Sequence, residues 1–392
     1  MIRKVPIITS SAGFIDLLLA AEYLFKDFSV NEFGLSLANF LQEKCVYPTN
    51  SGIAAFYIIL EALKKKSEKK EVVLPAYTAG SLVVAVRKAG LSPVLCDISL
   101  GDFNLDSKEL QKKVSGDTLA VVCVHMFGIG MADIGLLKQS LPPGIFVIED
   151  CAQAMGSEVK GRKVGCFGDA SFFSFNRGKN LALYSGGCIA TGSFEFRAQI
   201  EGICKELCPP PSRKDEFRAA LSLLAFYFAT NPFIYGAGYH FISRFKQLSP
   251  QEDFEAGIIT NFQSGLGMLK LQKIEKIFSL RHDNGMFILD ALKGDDGLIL
   301  PAIPERTYPV FSRLPILFKD TERIAEVEGR LFKYGIETSR MYLNPLHRMF
   351  DLGYAENDFA NAGYLAEHLL TFPVHQGLKS ADLQKIIEAI KG

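Results

Sequence analysis

The strongest constraint on this chain is a series of short apolar runs that do not alternate with polar residues. VVLPAYT (72–78), SPVLCDI (92–98), TLAVVCVHMFG (118–128), GIFVIEDCAQA (144–154), ASFFSF (170–175) and GGCIAT (186–191) are apolar almost throughout. A strand with one face in water alternates, so runs of this kind point to strands covered on both faces. Helical patterns lie between them, such as AGSLVVAVRKAG (79–90) and the stretch from Ser107 to Val114. Strand, helix, strand repeated this way predicts an α/β fold around a mostly parallel sheet. Ligands of such sheets bind at the carboxyl ends of strands, which makes the residues just after each run the ones to examine.

A chain of 392 residues is too long for one simple core. The expected organisation is an N-terminal segment (1–48) packed on a large domain (49–264), followed by a linking helix and a smaller α+β domain (265–392). The stretch 265–292 reads as one long amphipathic helix, PILF (315–318) as a strand, and Glu322–Tyr334 and Ser380–Lys391 as helices. One segment breaks the pattern: residues 219–243 carry no charge and are bounded by Arg218 and Arg244. Its length suits a membrane span of about 20 residues, but Asn231-Pro232 splits it into two arms too short to cross as helices. It is read as a helical excursion buried against the body or a dimer partner. The alternative is a membrane-touching hairpin flanked by Arg213, Lys214, Arg244 and Lys246.

Lys+Arg 43 against Asp+Glu 43 leaves a formal net charge of zero. No chain-wide positive field exists to condense on nucleic acid, and no nucleic-acid partner is expected. The eight cysteines form no C-x-x-C pair, and Cys96, Cys123 and Cys188 sit inside apolar runs as small hydrophobes. This usage predicts a reducing, cytoplasmic setting. Cys204 and Cys208 could share a helix face, but two further ligands at metal-site spacing are missing, so no metal is expected. The N-terminus has basic residues, yet Asp16 interrupts its apolar run and no cleavage pattern follows; a signal peptide is not expected.

Two places carry chemistry. Asp150 ends the apolar run of IEDCAQA, and in FFSFNRGKNLALYSGG a run ends at Ser174 before Lys179 and Gly186-Gly187. Pyridoxal phosphate needs a lysine to carry it, an acid against its pyridine nitrogen, and hydroxyl or backbone donors for its phosphate. On spacing alone the bland alternative, a surface Lys179 and a capping Asp150, stands ahead.

The order of blocks resembles the DegT/DnrJ/StrS-type sugar aminotransferases. The blocks are S-G-T (here Ser51-Gly52-Ile53), P-x-x-T ending at Thr78, H-x-x-G from His125, E-D-x-A-Q, K-G-x-x-x-G-x-x-G-D, and S-F-x-x-x-K-N before a Gly-Gly pair. The similarity continues through NFQSGLGMLKLQKIEKI, NPLHRMF and HLLTFPVHQGL, covering about 35–390 apart from 219–243. The resemblance implies a fold-type I, aspartate-aminotransferase-like homodimer that uses pyridoxal 5′-phosphate. It implies Lys179 as the cofactor-bearing lysine and proton shuttle, Asp150 on the pyridine nitrogen, and Gln153 beside the ring. Ser174, Ser51, Gly52 and Ile53 would lie on the phosphate side, with a helix starting after Gly52 adding its amino-terminal dipole. Thr78 would sit close to the cofactor, and Asn261 would reach the phosphate from the other subunit.

Departures cluster in the same region. Ile53 replaces a hydroxyl residue, Ala79 stands where relatives carry a stacking aromatic, and Gln263 stands where they carry arginine. Tyr77, His125 or Phe127 is expected to supply the missing ring face. His347 is a weaker candidate near the substrate entrance, and His368 and His375 are read as structural. The implied reaction is transfer of an amino group from glutamate, leaving 2-oxoglutarate, to a nucleotide-linked keto-sugar for polysaccharide or glycan assembly. Dehydratases of this family replace the lysine with histidine, so Lys179 favours transamination. A silent binding relative is the third reading, resting on Ile53, Ala79 and Gln263.

Overall fold

The computed structural model describes residues 3–26, 29–43, 45–244 and 253–392; Lys246 lies outside them. Its centre is a seven-stranded sheet. The strands are β1 (Cys45–Thr49), β2 (Glu71–Pro75), β3 (Ser92–Cys96), β4 (Thr118–Val124), β5 (Phe146–Asp150), β8 (Ala170–Ser174) and β9 (Gly187–Thr191), with the short β6 (Glu158–Val159) and β7 (Arg162–Lys163) forming a separate ribbon. The sheet order is β1-β9-β8-β5-β4-β2-β3, and only β9 runs against the rest. All seven residues of β4 are buried, which is why its sequence shows no alternation.

Helix Gly52–Lys64 packs on strands β1, β8 and β9 of this sheet. Phe56, Ile59 and Leu60 are fully buried, and the Phe56 ring lies 5.1 Å from that of Phe172 on β8. Burying each such side chain contributes about 1.5–3 kcal/mol, so the position of this helix is set by packing. A second sheet, in the order β10-β12-β13, is built from β10 (Leu298–Ile299), β12 (Leu314–Phe318) and β13 (Leu369–Phe372). Helices Thr321–Tyr334, Ala360–His368 and Ser380–Lys391 accompany it. β11 (Thr307–Tyr308), just before this sheet's central strand, pairs with β6 and so ties the two halves together.

The stretch 265–292 is not one helix. It belongs to two, Asn261–Leu271 and Ile274–Leu292, broken at Lys273, whose ψ is near 6°. The first is clamped to the N-terminal helices Phe14–Ala20 and Ser29–Leu41: Gly265 faces the Tyr23 ring, Gly267 faces Phe33, and Lys270 Nζ meets Asp16 at 3.0 Å. The second packs on the C-terminal helix, with Ile288 and Leu289 buried. Amphipathic periodicity runs across the break because both helices bury a face, each against a different partner.

The N-terminal segment is likewise shared. Val5 bridges Ile336, and Arg3 makes a two-pronged 2.7 Å contact with Asp382, both in the C-terminal half. The excursion folds as helices Arg213–Ala229 and Pro232–Arg244, bent by 83°, and Asn231 Oδ1 accepts the Phe233 N–H at 3.0 Å at the bend. Leu223, Phe226 and Tyr235 are buried, while Phe217, Leu221 and Phe233 are exposed. Among the described residues no single helix is long and apolar enough to cross a membrane, though this bent pair taken together has the length and composition of a span.

The contact at Gly265 gives a stability prediction. A Cβ there would fall inside the Tyr23 ring, and forcing the helices apart should cost about 1–3 kcal/mol. Gly265→Ala is expected to lower the urea midpoint, whereas Gly329→Ala, where nothing lies within 4 Å, should not.

Candidate active site

β5 and β8 are parallel neighbours, with Asp150 opposite Phe172, so their carboxyl ends deliver Asp150 and Ser174 side by side. The chain after β8 turns through Gly178, whose φ of +80° and close approach to Ile8 leave no room for a side chain. Lys179 follows, and Asn180 pins the loop: its buried amide donates to the carbonyls of Met155 and Val310, each at 2.9 Å. These elements enclose a cavity of about 220 Å³ lined by Asp150 and Lys179 on one side and by Ser51, Gly52, Ile53 and Ser174 on another.

The second side is an anion cradle. Ser51 caps helix Gly52–Lys64, its Oγ accepting the Ala54 N–H at 3.2 Å. The helix's first N–H groups therefore lie at the cavity, where they and the helix dipole favour an anion. Gly52 is required for the close approach, because a Cβ would lie 2.9 Å from that of Ser174.

Asp150 is 5% exposed, and its Oδ1 accepts one backbone N–H, from Ala152 at 2.9 Å. Burial pushes this carboxyl above its usual range, against the pull of the Ala152 N–H and the Lys179 charge. Burial pushes the Lys179 ammonium down to about 8; Asp150 opposes this and the Arg313 charge adds to it. A buried acid with one donor, a lysine amine of lowered basicity and a helix N-terminus fit the ring nitrogen, aldehyde and phosphate of pyridoxal phosphate.

Glu149, one residue before Asp150, has the opposite environment. It is fully buried, yet accepts from His125 Nε2 at 2.9 Å and from the backbone of Gly165 (2.8 Å), Phe167 (2.7 Å) and Gly168 (2.6 Å). Burial alone would raise its pKa; His125 and the backbone donors win and hold it below the carboxylate range. This explains the K-G-x-x-x-G-x-x-G-D block, whose loop wraps this carboxylate. His125 Nδ1 accepts the Met131 N–H at 3.1 Å, which puts the ring proton on Nε2. Glu149, His125 and Cys151 atoms lie within 4.8 Å of one another, but the first two already serve these hydrogen bonds.

The expected site residues therefore separate. Asp150, Lys179, Ser51, Gly52, Ile53 and Ser174 meet at the cavity. Thr78 is buried off its lining. Gln153 is also off the lining: its Oε1 accepts the Phe127 N–H (3.2 Å) and the Ser312 hydroxyl (3.3 Å), and its Nε2 reaches Tyr342 Oη at 3.5 Å. None of the three candidates for ring stacking lines the cavity. His125 is committed to Glu149, Phe127 packs edge-on to Phe103 at 5.4 Å, and Tyr77 donates to the Tyr342 carbonyl at 3.2 Å. Ala79, Ala152 and Phe172 are the apolar walls instead. Asn261 is bound within its own chain, where its backbone N–H and side-chain amide meet Glu216 at 2.7 and 3.2 Å. His347 Nε2 is paired with the Glu356 carbonyl at 2.8 Å.

Residues 17–391 match the DegT/DnrJ/EryC1/StrS aminotransferase family. The chain belongs to that family. It is a pyridoxal-phosphate-dependent aminotransferase of fold type I. Among curated relatives it is 26% identical over 382 residues to the spore coat polysaccharide biosynthesis protein SpsC of Bacillus subtilis, covering 95% of this chain and 91% of that one. It is 24% identical over 365 residues to the GDP-perosamine synthase of Caulobacter vibrioides, covering 92% and 88%. The sugar aminotransferase CalS13 of Micromonospora echinospora superposes with a TM-score of 0.80 at 18% identity, over 99% of each chain.

Sequence reasoning missed what the C-terminal half of the aminotransferase contributes. Ser312, Arg313 and Tyr342 come within reach of Gln153, Lys179 and Asp150 only through folding. Gln263 acquires a specific role: its Nε2 donates to the carbonyls of Leu183 (2.8 Å) and Ser185 (3.1 Å), tying helix Asn261–Leu271 to the lysine loop.

The lysine environment sets a pH expectation. The neutral amine attacks the cofactor aldehyde, so covalent capture, trapped with borohydride and read by mass, should rise with pH and level off above about 8. Asp150→Asn removes the charge that opposes burial and should move this profile to lower pH. Lys179→Ala should give no trapped adduct.

Proposed function

We propose that this aminotransferase takes its amino group from glutamate and delivers it to a nucleotide-linked keto-sugar that feeds polysaccharide or glycan assembly. The observation that carries this is Lys179, poised near neutrality beside Asp150 in a cavity floored by a helix N-terminus. The relatives named for GDP-perosamine and for spore coat polysaccharide support the substrate class.

The chain's residues would divide the work as follows. The bound cofactor supplies the electron sink. Asp150 holds a proton on the pyridine nitrogen, and its enclosure keeps water from weakening that contact. Ser51, Ser174 and the Gly52–Ile53 backbone bind the phosphate. Lys179 Nζ removes the proton from the donor's α-carbon and later returns one to the carbon of the acceptor sugar. Retention of lysine at this position favours transfer over dehydration.

Glutamate added to the protein loaded with pyridoxal phosphate should bleach its visible band and yield one equivalent of 2-oxoglutarate. In Lys179→Ala that rate should fall by about 10²–10⁴. A band that glutamate leaves untouched, with another amino acid consuming it, would refute glutamate as donor.

We further propose a cytoplasmic homodimer whose hairpin touches a membrane surface. Eight unpaired thiols support the compartment. Exposed Phe217, Leu221 and Phe233 on the hairpin, and Ile15, Leu18 and Leu19 on the adjoining helix Phe14–Ala20, support an apolar contact. Replacing 219–243 by a short Gly/Ser linker should abolish flotation with anionic liposomes while light scattering still reports a dimer with cofactor bound. Equal flotation of both proteins, or a monomer mass for the intact chain, would sink the corresponding half.

A further inference from the structure

The hairpin has an inner face as well as its exposed one. Phe226, Ala229, Thr230 and Tyr235, grouped about its bend, line a cavity of about 450 Å³ whose other walls include Ile8 and Asn176. Asn176 also lines the lysine cavity, so the two spaces adjoin. None of the blocks shared with the family falls on 219–243, so this wall is particular to this chain.

The wall is clamped in place from the N-terminal segment. The Lys4 N–H donates to the Pro232 carbonyl at 2.8 Å, and the Ser10 N–H to the Thr230 hydroxyl at 3.3 Å. Lys4 Nζ stands 3.3 Å from the centre of the Tyr239 ring and 3.7 Å from that of Phe332, which joins the second hairpin helix to helix Thr321–Tyr334 through a cation–π contact. Close-packed interiors rarely keep open a void of this size, whereas ligand pockets of about 300–1,000 Å³ are usual. The polar groups of the wall are already engaged: Thr230 Oγ1 donates to the Phe226 carbonyl at 2.9 Å, and the Tyr235 hydroxyl to Glu337. What the bend leaves for a ligand is therefore apolar.

We propose that the bend of the hairpin is the far wall of the acceptor's binding site, where the C–H face of the keto-sugar ring packs against Phe226 and Ala229. This rests on the nucleotide-linked acceptor reading and adds to it the residues that select the sugar. Both substrates bring their reacting carbon to Lys179, so the space beyond Asn176 serves the part of a substrate that extends past that carbon. In glutamate that part ends in a carboxylate, whose charge would go uncompensated against a wall with no donor to spare. A sugar ring carries an apolar C–H face, which such a wall covers without costing either side a hydrogen bond. Ala229 is the smallest side chain the bend contributes to the cavity, so its size sets how much of the acceptor fits.

The test is calorimetric titration of the cofactor-loaded protein with UDP-N-acetylglucosamine and GDP-mannose, and separately with UDP and GDP. Neither sugar carries a ketone, so binding is read without reaction. Ala229→Trp fills the cavity and should weaken the nucleotide-sugar that wild type binds about 10- to 100-fold, while the matching nucleoside diphosphate binds as before. Ala225→Trp, one helical turn earlier and exposed, adds the same bulk outside the cavity and should bind both ligands as wild type does. Ala229→Leu should show a smaller loss, and it carries the comparison if the tryptophan variant melts early. Nucleotide-sugar binding that is unchanged in both Ala229 variants overturns the proposal and leaves the nucleotide-linked reading standing. Equal weakening of the bare nucleoside diphosphate also overturns it, because the nucleotide and not the sugar would then meet the wall. Wild type that binds none of the four ligands overturns the nucleotide-linked reading itself, and the proposal with it.

Discussion

The site depends on a carboxylate that never meets the substrate. Glu149 is completely sealed from water and ionised, a state that costs several kcal/mol unless donors replace the lost hydration. Four donors converge on it, three from the backbone of one loop and one from a histidine whose own tautomer is fixed by Met131. That network holds the end of β5, and β5 ends at Asp150. Strand alternation turns adjacent side chains to opposite faces. Anchoring Glu149 on one side therefore fixes Asp150 on the other, without spending any of Asp150's own hydrogen-bonding capacity.

Two neighbouring carboxyls are thus tuned in opposite directions. Glu149 is saturated with donors and lies below its ordinary range; Asp150 has one backbone donor and lies above it. The unsatisfied one is what a pyridine nitrogen requires, since an under-bonded buried acid gains most from a proton-bearing partner. Lys179 completes the balance. Burial and Arg313 lower its pKa while Asp150 raises it, and the outcome near 8 leaves an accessible neutral fraction at physiological pH.

What could be read from the sequence follows from how locally each feature is determined. Unbroken apolar runs report burial on both faces, a property of each strand alone, so the doubly covered parallel sheet was visible. Asp150, Ser174 and Lys179 sit at strand ends within 30 residues of one another, and adjacency of their strands was enough to unite them. The continuous helix over 265–292 failed because periodicity records that a face is buried, not what buries it. The break at Lys273 exists only because Tyr23, Phe33 and Asp16 claim one half and the C-terminal helix the other. His125 and Phe127 lie off the cavity lining for a related reason. A residue after a strand can face the ligand or the strand's neighbour, and Glu149 with its loop had the stronger claim on His125. Arg313 and Tyr342 carry no local signature, since only the packing of the small sheet against the lysine loop gives them a role.

The departures from the family pattern look different once their contacts are known. Gln263 is not an arginine site left unfilled: its amide bridges the Leu183 and Ser185 carbonyls, contacts that a neutral donor makes without bringing a charge to a buried position. Ile53 removes one hydroxyl from the phosphate side but leaves the Ser51 and Ser174 hydroxyls and the helix N-terminus, whose backbone N–H groups no substitution at that position removes. Ala79 leaves space rather than a lost bond, because Met349 and Phe350 close over Gly80 behind it. The changes fall on contacts for which the fold provides substitutes, while Lys179 and Asp150, for which it provides none, are intact. That distribution is what a working enzyme with an altered cofactor wall would show, and a disabled one would have no reason to keep it.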